Sequence, residues 1–117
     1  KKFLYTANFY SRNLNHLVQI PIYDNQISVP TFHQYIIRTN KRNRLKKFLN
    51  EKGIETAIHY PKPIHKQKAY TNQYGTVKLI HTEKYAKQIL SLPIHAFLSD
   101  QQIKYVVNNI KLFFKKN

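Results

Sequence analysis

The sequence predicts an α+β fold, in which a short sheet of two to four strands packs in α/β-type layers against about four helices. Apolar residues recur at helical spacing near both ends of the chain, and residues 31–39 are rich in β-branched and aromatic side chains, as strands are. The chain has 117 residues, of which 42% are hydrophobic. We therefore expect residues 1–117 to form a single domain with a modest core of its own.

The first helix is predicted over residues 2–17, followed by a connection with a turn at 24–26 and room for a short strand. No capping residue precedes this helix and the chain contains no methionine, so we expect the helix to continue upstream in a longer parent protein. Its apolar residues are spaced 4, 3, 4 and 3 apart on one helical face, and they are Phe3, Ala7, Tyr10, Leu14 and Leu17.

Residues 31–39 form the best candidate strand. Alternation places Phe32, Gln34, Ile36 and Arg38 on one face, and His33, Tyr35 and Ile37 on the other. Neither face is purely polar, so we expect a central strand that is covered on both sides. His33 and Tyr35 would then share a face, either as core residues or as one wall of a site.

A second helix is predicted between a cap at Asn40 and a stop at Gly53. A left-handed Gly53 would bring Leu49 and Ile54 together in a Schellman ending. A second short strand is predicted at residues 56–58. The buried stripe of the helix is expected to contain Leu45, Phe48 and Leu49.

Two more helices are predicted in the last third of the chain, after a turn at 71–75 and an apolar run at 77–80 that is either strand or loop. One runs from a cap at Thr82 through Ser91, and the other begins at Ser99, where Gln102 completes a capping-box pattern. The inward residues of the former are predicted to be Tyr85, Ala86, Ile89 and Leu90. Those of the latter are Ile103, Val106, Val107, Ile110, Phe113 and Phe114.

Residues 53–70 form the segment around which we expect the chain to be organised. Two prolines fix φ and withhold two backbone donors, so this segment cannot continue as a helix or an inner strand. A stiff loop of this kind either presents polar groups to a ligand or is a surface loop with well-satisfied histidines. Its polar and ring-bearing residues are His59, Tyr60, Pro61, Pro63, His65, Gln67 and Tyr70.

The chain is strongly basic, with 20 lysines and arginines against 5 acidic residues and a net charge of +15. Such a balance suits nucleic acid, an anionic membrane surface or phosphorylated substrates, and it is also compatible with a merely solvated surface. Nine tyrosines and seven phenylalanines among the lysines make a basic nucleic-acid-binding module the alternative function, although most of these rings fall on the predicted helix stripes. No apolar run approaches the roughly 20 residues that span a bilayer, so no membrane partner is expected. The absence of cysteine suits a cytoplasmic protein.

No complete catalytic constellation is predicted. His59 and His65 lack a helical ligand pattern or a carboxylate cluster, so no metal site is expected. Ser91 and Ser99 sit at predicted helix boundaries and outside any G-x-S-x-G elbow. Paired carboxylates are absent, and two glycines cannot build a phosphate-cradling loop.

The run HYPKPIH at residues 59–65 resembles the C-terminal domain of the DegT/DnrJ/StrS sugar aminotransferases, which use pyridoxal phosphate to place an amino group on a nucleotide-linked keto-sugar. Other pieces agree in order and spacing. They are KGIET before the run, Gln67 and Ala69-Tyr70 after it, TFHQYIIR, Arg42 with Leu45, EKYAKQILSLPIH and the helix after Ser99. The resemblance covers nearly the whole chain and implies the small C-terminal domain of a fold-type-I enzyme.

The resemblance also implies roles for individual residues. His65 would lie by the sugar and the cofactor, His59 and Tyr60 would line that pocket, and His33 and Tyr35 are weaker candidates for sugar-nucleotide contact. His95 would be a structural corner, and Arg38 would pair within the fold. His81-Thr82 departs from the family, where a proline and a small residue usually precede the glutamate.

The family's Schiff-base lysine and its other cofactor-binding residues belong to a large N-terminal domain, and none of the 16 lysines here sits in that motif. We therefore expect no catalytic and no cofactor-binding residue in this chain, and we expect the chain alone to be inactive. The parent would be a cytoplasmic homodimer that takes nitrogen from glutamate.

Overall fold

The computed structural model describes residues 2–24, 26–28 and 30–117. Over these residues the chain forms two strands, five α-helices and one 3₁₀ turn at Ile64–Lys66. The strands are β1 (Tyr35–Arg38) and β2 (Ile89–Leu92). The helices are α1 (Lys2–Leu14), α2 (Arg42–Glu51), α3 (Lys68–Tyr74), α4 (Ile80–Ala86) and α5 (Asp100–Lys116).

The sheet is short and antiparallel. β1 pairs with β2 so that Tyr35 lies opposite Leu92 and Arg38 lies opposite Ile89. A single bridge extends it on each side, from Gln19 to Arg38 and from Ala57 to Ser91. The predicted α+β class and a short sheet of two to four strands are therefore confirmed, with the strand predicted at 56–58 reduced to the bridge at Ala57.

The core lies between the sheet and helices α1, α2 and α5. Tyr35 and Ile37 of β1 and Leu90 of β2 are fully buried, and the stripe of α5 packs towards α1 and α2. The phenol of Tyr10 on α1 donates a hydrogen bond of 2.6 Å to the carbonyl of Pro93, just after β2. This contact ties the first helix to the corner that follows the sheet.

Strand β1 is four residues long, whereas a strand was predicted over 31–39. Phe32 has a φ of 52°, which breaks the extended conformation before the strand begins. Its ring consequently lies in the core, with its centroid 6.0 Å from that of Tyr35, although strict alternation had assigned the two residues to opposite faces. On the other side of β1, the Arg38 guanidinium lies 4.0 Å from the centroid of the Tyr85 ring.

The end of α2 follows the prediction, but its beginning does not. Gly53 has a φ of 77°. The amide of Ile54 donates to the carbonyl of Leu49 at 2.9 Å, and the amide of Gly53 donates to the carbonyl of Asn50 at 3.0 Å. These are the two bonds of a Schellman ending. The prediction that Asn40 caps α2 is wrong. The side-chain oxygen of Asn40 instead accepts a hydrogen bond from the side-chain amide of Gln88.

The helix predicted from Thr82 through Ser91 is wrong at both ends. Helix α4 begins at Ile80, so that Thr82 lies within it, and the chain turns into β2 at Ile89. The apolar spacing near Ile89 fits a helix face locally, but pairing with β1 satisfies the backbone and buries Leu90. Tertiary pairing thus overrides the helical pattern.

Several smaller boundaries also differ. The turn predicted at 71–75 is wrong, because these residues belong mostly to α3, which ends before a left-handed Gly75 with a φ of 74°. Helix α1 ends at Leu14, three residues before the predicted end. The capping box of Ser99 and Gln102 at the start of α5 is confirmed. The turn predicted at 24–26 includes Asn25, which lies outside the described residues.

Candidate functional site

A cleft of about 1060 Å³ opens at one end of the sheet. Its walls come from the loop before β1, residues 53–59, the end of β2 and the first turns of α5. Three imidazoles line it, those of His33, His59 and His95, together with the hydroxyl of Ser91 and the carboxylate of Glu55. The fold therefore assembles, from four separate stretches of chain, a cleft with several polar side chains that the sequence predicted only in part.

His59 is the most firmly placed of these histidines. Its Nδ1 lies 2.8 Å from the hydroxyl oxygen of Ser91. Ser91 is buried in β2, and its amide donates to the carbonyl of Ala57 at 2.7 Å. The bridge between Ala57 and Ser91 places His59, two residues beyond Ala57, directly over the serine.

Tyr60 adjoins His59 but lies on another surface. The two rings meet edge to face with centroids 5.5 Å apart, and the peptide bond between them is cis. Tyr60 is 69% exposed, and with Ile64 and Tyr85 it borders a separate cleft of about 340 Å³ beside α4. His59 and Tyr60, which were predicted to line one pocket, therefore border two different clefts.

His65 lies apart from the large cleft, in the 3₁₀ turn. Its imidazole is almost fully buried, and its Nε2 is 3.3 Å from a carboxylate oxygen of Glu83 on α4. The other oxygen of Glu83 is 2.7 Å from the ammonium of Lys66, and the backbone amide of Leu79 also donates to Glu83 at 2.8 Å. This cluster fastens residues 59–65, here called the histidine loop, to α4.

The carboxylate of Glu83 is held in its charged form by these donors. The bond from Lys66, followed by that from the Leu79 amide, lowers the pKa of Glu83 from 4.5 to about 2, and the contact with His65 acts in the same direction. Favourable contacts to the charged form have this effect on a carboxyl group. The contribution of Glu83 to stability is therefore complete at neutral pH.

We predict that this contribution is lost as the pH falls from 4.5 towards 2, because the unfolded state binds the proton first. Thermal unfolding measured across that range should show a steeper loss of melting temperature for the native chain than for Glu83→Gln. Glu51→Gln, which changes an exposed glutamate on α2, is the matched control and should follow the native chain. Equal pH slopes for native and Glu83→Gln proteins would contradict the role of this cluster.

The remaining predicted residues are divided by the fold. His33 is exposed and lines the large cleft. Tyr35 is fully buried, its hydroxyl lies 2.8 Å from that of Ser11, and burial raises its pKa to about 12. The side chain of Tyr35 is therefore part of the core and is not available at the cleft, because the shortened β1 begins there.

Ser91 and His95 line the cleft but were not among the predicted site residues. Ser91 was assigned to a helix boundary, which is wrong, since it lies within β2. His95 was predicted to be a structural corner; its Nδ1 accepts a hydrogen bond of 3.2 Å from the amide of Phe97, and its ring also lines the cleft. Both belong to the SLPIH run, which was quoted for its resemblance, but only the strand pairing brings Ser91 to His59.

Most of the basic charge lies outside ion pairs with acidic groups. Among the described residues, carboxylates pair with Lys2 at 3.5 Å, with Lys66 and with His65. In the same part of the chain, no group of three or more histidine or acidic side chains is arranged to hold a metal ion. No described helix is both long enough and apolar enough to cross a membrane.

The buried rings of Tyr10, Tyr35 and Phe113 belong to the core. The predicted helix stripes had indicated this for Tyr10 and Phe113.

The fold is that of the corresponding part of the fold-type-I aminotransferases. NtdA from Bacillus subtilis, solved with bound cofactor PMP, superimposes with a TM-score of 0.86 at 26% identity, over 97% of this chain and 28% of that one. The chain belongs to the DegT/DnrJ/EryC1/StrS aminotransferase family, which matches residues 4–111. The resemblance drawn from the histidine loop is thereby confirmed.

Curated relatives match a shorter stretch of this chain than the family as a whole does. The chain is 44% identical over 85 residues to a "Pleiotropic regulatory protein" of Geobacillus stearothermophilus, covering 72% of this chain and 23% of the relative. It is 35% identical over 83 residues to the dTDP-3-amino-3,4,6-trideoxy-alpha-D-glucose transaminase of Streptomyces venezuelae, covering 70% of this chain and 22% of the relative. The chain thus spans less than a quarter of the length of either relative.

The family implies a pyridoxal phosphate cofactor, which needs particular side chains in its site. None of the described residues that line the large cleft is a lysine, and its only carboxylate is that of Glu55. An imine-forming amine and an acidic partner for the pyridine nitrogen are the groups that this chemistry requires. The cleft of this chain by itself therefore does not fit a cofactor site.

Proposed function

We propose that this chain is the C-terminal domain of a pyridoxal-phosphate-dependent aminotransferase, which moves an amino group from glutamate to a nucleotide-linked keto-sugar in amino-sugar or cell-surface polysaccharide biosynthesis. The observation that carries the proposal is the family match over residues 4–111, together with the transaminase named for a dTDP-linked sugar. The proposed parent is a cytoplasmic homodimer. The cofactor supplies the electron sink when bound, and residues outside this chain would hold it.

In this proposal the chain supplies the substrate side of the pocket. His59 and His33 line the large cleft, where neutral imidazoles can donate to or accept from sugar hydroxyls and the keto oxygen. Tyr60 presents an exposed phenol beside His59, and nearby basic residues would attract the diphosphate. His65, buried against Glu83, would act by fixing the loop that carries both residues.

The test uses a polypeptide that joins residues 1–117 to the family's cofactor-binding domain. We expect His59→Ala to lower kcat/KM for the keto-sugar about 10-fold, which corresponds to one lost hydrogen bond to substrate. The half-reaction with glutamate and the cofactor absorbance should be unchanged. His16→Ala, an exposed histidine outside the cleft, is the matched control.

Two results would overturn the proposal. One is unchanged sugar kinetics in both His59→Ala and Tyr60→Phe. The other is amino transfer by residues 1–117 alone when they are supplied with pyridoxal phosphate, glutamate and a keto-sugar nucleotide, because the proposal requires the separate cofactor-binding domain.

A further inference from the structure

The serine beneath His59 is buried and lies between two paired segments of backbone. Ser91 is 6% exposed and lies opposite Ile36 in the pairing of β2 with β1. On its other edge, it exchanges two backbone hydrogen bonds with Ala57, at 2.7 and 3.2 Å. The backbone of Ser91 is therefore held by neighbours on both edges, and its buried hydroxyl lies within hydrogen-bond distance of His59.

The contact between Ser91 and His59 occupies one ring nitrogen and leaves the other. With Nδ1 at 2.8 Å from the Ser91 hydroxyl, Nε2 is the nitrogen that remains for a ligand in the cleft that His59 lines. A hydroxyl can donate or accept, whereas a carboxylate or backbone carbonyl at this place could only accept. An acceptor alone would keep the proton on Nδ1 and make Nε2 of a neutral imidazole a permanent acceptor.

Serine removes that restriction. When the Ser91 hydroxyl donates to Nδ1, Nε2 carries the proton and donates to the ligand. When Nδ1–H donates to the hydroxyl, Nε2 accepts from the ligand instead. The ring keeps its orientation in both cases, because the hydroxyl turns about its C–O bond while the oxygen stays in place.

We propose that Ser91 is a positioning residue that orients the His59 imidazole at the cleft and allows its Nε2 to serve either as donor or as acceptor. The ligand class, a polyhydroxylated keto-sugar carrying both hydroxyls and a carbonyl, rests on the proposed function. The orientation of the ring rests on the contact between the two side chains. The two parts can therefore be tested separately.

The first test is nitrogen NMR of the histidine side chains in the 117-residue chain. In Ser91→Ala, we expect both ring nitrogens of His59 to shift, because Nδ1 loses its partner, while those of His16 and His81 stay unchanged. Ser91→Thr retains the hydroxyl and should restore the native signals. Ser28→Ala changes an exposed serine that is distant in sequence from Ser91, and it should have no effect on the His59 signals.

The second test is a double-mutant cycle in the polypeptide that includes the cofactor-binding domain. Ser91→Ala should lower kcat/KM for the keto-sugar about 3- to 10-fold in the native background and less than about 2-fold when His59 is already alanine, since residues that act through one contact are not additive. Ser91→Thr should remain close to native. Ser91→Cys, close to serine in size and a weak donor, replaces the alanine variant if that variant does not fold.

The outcomes separate the two ideas. Unchanged His59 nitrogen signals in folded Ser91→Ala or Ser91→Cys would overturn the positioning inference. Shifted signals with native sugar kinetics would support the positioning of His59 and count against the proposed function. Additive losses of activity in the cycle would show that Ser91 acts independently of His59, which also contradicts the inference.

Discussion

Replacing Ile110 by alanine is expected to lower the free energy of unfolding by about 2–5 kcal/mol. Ile110 is fully buried on α5, the helix that packs against both α1 and α2. Removing its side chain beyond Cβ leaves a cavity that three rigid elements cannot easily close. Domains of this size have a total stability of roughly 5–15 kcal/mol, so the variant should be close to unfolding.

Urea unfolding followed by far-ultraviolet circular dichroism measures this loss. Ile22→Ala is the matched control, because the same side chain is removed from a position that is 90% exposed. Its unfolding free energy should stay within about 0.5 kcal/mol of the native value. An equal effect of both substitutions would show that α5 does not form the centre of the core.

Replacing Arg42 by alanine is expected to cost about 2–4 kcal/mol, because it leaves two backbone carbonyls without their charged donor. Arg42 is 8% exposed, and its guanidinium donates from Nη1 to the carbonyls of Ala86 at 3.2 Å and Ile89 at 2.9 Å. It joins the last turn of α4 to the first residue of β2. Burial lowers the pKa of this group, and its contacts with carbonyl oxygens favour the charged form.

Two further variants test this reading of Arg42. Arg42→Lys keeps the charge but not the planar, branched donor, so it should recover only part of the loss. Arg44→Ala removes an exposed arginine from the same helix and should be nearly neutral. A native unfolding free energy for Arg42→Ala would mean that solvent satisfies both carbonyls.

The prediction for Arg42 also concerns the site. The strand that Arg42 helps to begin is the one that carries Ser91, two residues after Ile89. Loss of the link from α2 to β2 should therefore disturb the position of His59 as well as the stability. The same nitrogen spectrum that tests Ser91 would show this as shifted His59 signals in Arg42→Ala.

Helices that present a clear apolar stripe or cap could be read from the sequence. The stripe of α5, its capping box at Ser99 and the Schellman ending at Gly53 all depend on residues within a few positions of one another. The helix predicted through Ser91 failed because an apolar pair such as Ile89 and Leu90 suits a buried helix and a buried strand equally. Only a partner strand distinguishes the two.

The site shows the same division. The order of residues in HYPKPIH, combined with SLPIH and the flanking pieces, was sufficient to indicate the family, and it made His65, His59 and Tyr60 candidates for a site. It gave no means of knowing that His65 turns to Glu83, or that Tyr35 lies in the core rather than on a wall. Those outcomes depend on contacts between segments that are distant in sequence.

By itself, the sequence determined the family, the α+β class and the boundaries set by local chemistry, because caps, left-handed glycines and helical stripes act over one or two turns. The tertiary structure alone decided which strand Ser91 belongs to, and therefore what lies beneath His59. Antiparallel pairing with Tyr35–Arg38 on one edge and the bridge to Ala57 on the other fix that register. A strand satisfies its backbone only through such distant partners, and no periodicity along the chain encodes them.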